Sequence, residues 1–190
     1  MEKRIEKIKK TLSRFEGLET IPNIFGADKH NFKLNPIKTE DEMVSFEKEN
    51  QIQLPKEYRL FILKIGNGGT GPNYGLEPIE NGKFIDLDKK NPKNLIDLSK
   101  PFLYSRPWNL NWNIPIDIQE EEKYYEKLSL EYTDKKHVNG LLRISNFGCG
   151  VWINLVVNGY EYGNIWVDDM NSNQGLMPYQ TNKKERVQFS

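Results

Sequence analysis

The chain has 190 residues, about one domain's worth, and its 27 basic and 27 acidic side chains cancel, which removes the electrostatic case for nucleic-acid binding. The single Cys149 excludes an internal disulfide and points to a reducing compartment. No apolar run approaches the roughly 18 residues of a membrane span, and the charged start MEKRIEKIKK lacks a signal peptide's apolar stretch, so a soluble cytoplasmic protein is expected.

In chain order, Glu2–Glu16 spaces Ile5, Ile8, Leu12 and Phe15 by three and four residues, a helical stripe with Gly17 placed to cap its end. Leu18–Pro36 reads as a connecting loop. Thr39 and Glu42 have the form of a capping box, opening a helix that turns Met43 and Phe46 inward. Pro55 suits the first position of another helix, whose stripe is Tyr58, Phe61, Ile62 and Ile65 and which Gly66 ends. The glycine-rich loop Gly66–Pro72 follows a helix and has no Lys-Ser/Thr pair after it, so it reads as a chain reversal rather than a phosphate cradle. Tyr74–Ile79 and Lys83–Leu87 are short strand candidates about an Asn81-Gly82 turn. Asn91–Asn113, with Trp108 and Trp112 but no periodicity, is expected to lie irregularly on the core. Asp117–Tyr132 reads as a helix with Ile118, Tyr125 and Leu128 on one side.

The most ordered pattern runs from Leu141 to Asp169. Leu141–Ser145, Val151–Val157 and Asn164–Asp168 are rich in Val, Ile, Leu and Trp, which suit a pleated surface, and glycine-containing turns separate them. An antiparallel meander follows. Asn158-Gly159 signals a two-residue hairpin turn; alternatively the loop closes at Gly163 and exposes Tyr160, Glu161 and Tyr162 at its tip. Both connections are even-numbered, so both predict one face of Val151, Ile153, Leu155, Val157 and Trp166, and another of Trp152, Asn154, Val156, Ile165 and Val167. Neither face is cleanly polar, so the sheet must be covered on both sides. Trp166 is expected to be buried.

Leu54-Pro55-Lys56-Glu57-Tyr58 with Phe61, followed by Ile65-Gly66-Asn67-Gly68-Gly69, resembles the opening block of the SUKH superfamily, Smi/Knr-like branch. Gly150-Val151-Trp152 and then Gly159 and Gly163-Asn164-Ile165-Trp166 are similar to its second block, so the resemblance covers about residues 39–180 of a single 1–190 domain, with residues 1–38 as an N-terminal helix and loop. It implies an α+β fold with helices packed against a mostly antiparallel sheet. It also implies a binding protein rather than an enzyme: bacterial members are mainly immunity proteins against secreted or contact-delivered toxins, many of them nucleases, and fungal relatives regulate cell-wall assembly. Phe189 and Ser190 have the form of a staple and N-cap, where relatives often continue into a final helix.

The residues themselves offer little catalytic machinery. Cys149 with His137 is the thinnest enzyme alternative, since a cysteine between two turn glycines has no helix N-terminus to activate it. His30 and His137 have no neighbours at metal-ligand spacing, so no metal or other cofactor is expected. The partner implied is a cognate protein toxin, with no nucleic acid or membrane. Candidate contacts are Tyr160, Glu161, Tyr162, Asp168 and Asp169 around the hairpin, the acids steering toward a basic toxin surface. Their alternative is tyrosines folded back and acids merely solvated at a strand end. Trp108 and Trp112 are further contact candidates, or else covers for a sheet face.

Overall fold

The computed structural model describes residues 2–15, 23–113, 115 and 120–189. Among the described residues five α-helices precede the sheet: α1 (Glu2–Leu12), α2 (Ala27–His30), α3 (Glu40–Asn50), α4 (Lys56–Lys64) and α5 (Glu121–Tyr132). Four strands follow as an antiparallel meander, β1 (Leu141–Gly148), β2 (Val151–Val156), β3 (Ile165–Asp169) and β4 (Gly175–Pro178), in that spatial order. This is an α+β architecture.

Local chemistry accounts for the helix boundaries. The Thr39 hydroxyl accepts from the Glu42 N–H at 3.2 Å and the Glu42 carboxylate accepts from the Thr39 N–H at 2.8 Å, the reciprocal capping box that starts α3. Met43 and Phe46 are buried beneath it, as their spacing requires. Pro55 stands one position earlier than its sequence suggests, as the N-cap of α4. Gly17, Ile118 and Ser190, each given a role from sequence, lie outside the described residues.

Two expectations are corrected, and one strand is added. Tyr74–Ile79 and Lys83–Leu87 do not form a hairpin: Ile79–Lys83 is a short 3-10 helix against β1, and the flanking residues make only isolated bridges. The described part of the last helix begins at Glu121, and Tyr125 points to solvent rather than inward; only Tyr132 is buried. Strand β4 has no alternating pattern long enough to be read from sequence. Its residues pair with β3 because Leu176 is drawn into the core.

A further correction concerns the faces of the sheet. The β2–β3 connection closes late, at Gly163, but Val156 pairs with Asn164 rather than Val157 doing so: the Val156 N–H donates to the Asn164 carbonyl at 3.0 Å and the Gly163 N–H to the Val156 carbonyl at 2.9 Å. The connection 157–163 is odd-numbered. Because side chains alternate with period two, this one-residue difference inverts the predicted pairing of faces. Asn154 stands opposite Trp166 and Trp152 opposite Asp168, while Ile153 and Leu155 face Val167 and Ile165. Trp166 therefore shares a face with Asn154 and Trp152, not with Ile153 and Leu155.

Both faces are covered. Leu60 and Phe61 of α4 and Ile65, which caps its end, lie with Val187 and Phe189 over the Ile153 and Ile165 side, and Phe189 packs edge-on against Tyr58 and Phe61 at 4.9 and 5.5 Å. The segment after Asn91 lies on the core as expected: Ile96, Leu98 and Phe102 are buried, and the Phe102 ring meets Trp166 edge-on at 4.8 Å. Trp166 is 0% exposed. Its truncation in Trp166→Ala is expected to cost about 3–5 kcal/mol, the range for a core aromatic, and appears as a lowered urea midpoint at unchanged slope.

Candidate functional site

The Asn154 face carries a buried polar row across three strands. The register places Arg143 of β1 beside Asn154 of β2, and β3 brings Asp168 to the same face two residues beyond Trp166. An Arg143 Nη2–Asp168 Oδ2 ion pair closes at 2.9 Å, and Arg143 Nη1 donates to Asn154 Oδ1 at 3.2 Å. Asn154 Nδ2 in turn donates to the Trp152 and Trp166 carbonyls at 3.1 and 3.3 Å, and the guanidinium lies over the Trp152 ring at 5.4 Å. All three side chains are buried. Burial pulls Arg143 below its ordinary pKa, and the Asp168 carboxylate opposes that shift. Asp168 is thus a structural counter-ion, which corrects its reading as a solvated strand end. Asp169 is half-buried beside it, and its Oδ1 finds no hydrogen-bond partner among the described residues.

Residues 158–163 form the exposed end of the same meander. Gly159, at φ 117, sits so close to Phe102 that a Cβ there would lie 2.7 Å from the Phe102 carbonyl oxygen, so only glycine fits. The tip is split in its exposure. Tyr160 is 90% exposed and Tyr162 44%, while Glu161 between them is 6% exposed, against the expectation of an acidic tip.

Glu161 turns inward to a group of donors. Its Oε2 accepts from Asn164 Nδ2 at 3.0 Å and from Trp166 Nε1 at 3.4 Å, and pairs with Arg186 Nε at 3.1 Å. Arg186 also donates from Nη2 to the Ser105 carbonyl at 2.6 Å and lies over the Trp166 ring at 5.5 Å. The chain end then joins the sheet, the Ile165 N–H donating to the Val187 carbonyl at 2.8 Å. Tyr162 Oη donates to the Gln53 carbonyl at 3.1 Å and ties the loop to the start of α4. The loop is therefore braced from three sides, with Tyr160 left outside. No pattern in the sequence distinguishes Glu161 from a surface acid; its partner Arg186 is far along the chain.

Trp108 and Trp112 take the covering role. Trp108 stacks on His137 at 4.0 Å, Tyr104 at 5.2 Å and Tyr132 at 5.7 Å, and exchanges both backbone hydrogen bonds with Leu176 at 2.8 Å. Trp112 meets Tyr132 edge-on at 5.0 Å. Both indoles are half-buried. His137 is buried in this layer: its Nε2 donates to the Glu131 carbonyl at 2.8 Å, which leaves Nδ1 to accept the Tyr104 hydroxyl proton. Cys149 is exposed in the β1–β2 turn, at the opposite end of an eight-residue strand from His137, so the structure does not bring that pair together. Among the described residues no three His, Cys, Asp or Glu side chains converge on a point where a metal could sit, and no helix is long and apolar enough to cross a membrane.

Two measurements follow from these buried groups. Asp168→Asn leaves Arg143 with an uncompensated buried charge and is expected to cost about 3–5 kcal/mol, whereas the double variant Arg143→Met, Asp168→Leu recovers most of it; urea denaturation of the singles and the double gives the coupling. Burial raises the Tyr104 phenol to about 12, and Tyr58, Tyr132 and Tyr162 are also raised by burial. A phenol held above its unfolded value favours the native state below about pH 10. Stability is then lost as pH climbs from there through about 12 for Tyr104, so the urea midpoint should fall across that window.

The sequence model of the SMI1 / KNR4 family (SUKH-1) matches residues 38–180. Those residues run from the capping box of α3 to just beyond β4 and include the braced loop. No curated protein and no solved structure gave a match.

Proposed function

The chain belongs to the SMI1 / KNR4 family (SUKH-1), and from that premise we propose that it is a non-catalytic binding protein of the cytoplasm, an immunity protein that neutralises a bacterial polymorphic or contact-delivered toxin by direct contact. The observation that carries this reading is the loop at 158–163, where Tyr160 is 90% exposed on a backbone braced by a buried carboxylate. A large aromatic held outside on a rigid support loses little entropy on binding, and its ring offers contact area with a polar end. Leu103 stands exposed next to it, because Phe102 bridges Gly159. Tyr160, Leu103 and Tyr162 form the centre of the proposed contact.

The acids take different parts. Glu161 and Asp168 act from below, holding the loop and strand in place, and Asp169 lies at the far end of β3. Trp108 and Trp112 support the same sheet from the side. Steering toward a basic toxin falls instead to Glu57, which is close enough to Tyr162 to help raise its phenol; Glu47, also near, is held by Arg59 at 3.1 Å.

The test is to sequence the genes flanking this one and to co-express the chain with the C-terminal domain of any secreted protein they encode. Wild type should protect. Tyr160→Ala is expected to leave the urea midpoint unchanged while weakening the complex by about 2 kcal/mol or more, the scale of an interface hot spot, as measured by calorimetry. Unchanged affinity in Tyr160→Ala and in Tyr162→Ala removes the loop from the interface. A protein that protects against no such domain but captures host cell-wall enzymes is a regulatory scaffold instead.

A further inference from the structure

The cover of the Ile153 face is incomplete at α1. A cavity of about 620 Å³ lies between that helix and the body. Its walls are Leu60 and Phe61 of α4 with Ile65 just after it, Ile144, Ile153 and Ile165 of the sheet, and Phe189. Ile5 and Ile8 of α1 line the open side with Arg4. Despite its clean stripe, no described side chain of α1 is buried: Ile5, Ile8 and Leu12 are half-exposed. Protein interiors normally close to near-crystalline density, so a helix standing over a void of this size is bridging it rather than packing into it. None of Lys3, Arg4, Lys7, Lys9 or Lys10 enters an ion pair among the described residues. The stacking of Phe15 on Phe32 at 4.7 Å anchors the end of the segment away from the cavity. An eleven-residue helix is marginal on its own in water.

We propose that this apolar wall is a docking groove for an amphipathic helix of the protein partner, and that α1 is its resident cover, displaced when the partner's helix enters. The proposal rests on the binding-protein reading above and adds the mode of contact. The occupant's chemistry is read from the cover: aliphatic residues at i, i+3 and i+7, as Ile5, Ile8 and Leu12 present them, with basic residues between. Glu57 also lines the groove and has no ion-pair partner among the described residues, so a cation on the incoming helix finds its counter-charge there. The groove is continuous with the braced loop. Glu57 acts on Tyr162, and Val187 and Gln188, which form one rim, pair with Ile165 and Asn164 at the loop's end.

The probe is a fluorescein-labelled peptide of residues 2–15, titrated into the full chain with no toxin present, so that its outcome is independent of whether the loop contacts a toxin. In Ile5→Asp, Ile8→Asp the tethered competitor no longer docks, and the peptide is expected to bind on the order of tenfold tighter or more than to wild type, since the cover acts at high effective concentration. Adding Leu60→Asp in the groove wall should abolish that binding, and a peptide with Asp at positions 5, 8 and 12 should not bind. Equal binding to wild type and Ile5→Asp, Ile8→Asp overturns the proposal, as does binding that survives Leu60→Asp or no binding at all. If the double variant does not fold by its urea transition, isotope-labelled wild type decides: saturating peptide must speed hydrogen exchange of the chain's own residues 3–12, and unchanged exchange overturns the displacement.

Discussion

The ion pair between Arg143 and Asp168, joined through Asn154, is the constraint on which the sheet depends. It spans three strands on one face, and a buried charge left unpaired costs several kcal/mol. Only one register puts all three side chains on the same side of the pleat. Slipping β3 by one residue would send Asp168 to the Ile153 face, strand Arg143, and withdraw Trp166 from Phe102. Apolar packing alone discriminates less here, because apolar side chains occupy both faces. The polar row therefore selects among pairings that hydrophobicity leaves nearly equivalent, a specificity role of the kind attributed to buried polar residues elsewhere.

The same register places the Trp166 indole where Glu161 can accept its N–H. A carboxylate with donors from Asn164, Trp166 and Arg186 turns a loop into a fixed platform, because each charge-assisted bond restricts a backbone that glycines at 159 and 163 would otherwise leave free. Arg186 extends the restraint to Ser105, and the following residues carry it to α4 through Phe189. Charged side chains of the hairpin thus work underneath, while its most exposed groups are aromatic. This division suits recognition: desolvating a free acid at a contact is costly, whereas a tyrosine already held in place is not.

The two coverings of the sheet differ in quality. On the Asn154 face, Phe102, Tyr104, Trp108, His137 and Tyr132 form a continuous aromatic layer in which the Tyr104 hydroxyl meets His137 Nδ1. On the Ile153 face, α4 lies over the strands and the space under α1 is open. Stability is accordingly uneven: α1, with no described side chain buried, stands over a void of about 620 Å³, where a local opening costs little.

Much was legible from the amino-acid order alone. The capping box at Thr39 and Glu42, the inward Met43 and Phe46, the α4 stripe and the three central strands all follow from short-range rules of capping and periodicity, turn chemistry left two closures of the β2–β3 loop open, and the two motif blocks carried the family and with it the α+β class. What tertiary structure decided were the long-range choices. Whether 157–163 or 158–163 connects β2 to β3 changes no local propensity, yet it inverts the faces. Glu161 and Asp168 look like surface acids until Arg186 and Arg143 arrive from 25 positions away in each case, and β4 becomes a strand only because β3 and Trp108 offer it partners. Local sequence reports the conformations a segment can adopt; the pairing of buried charges, set by contacts between distant segments, determines which one is kept.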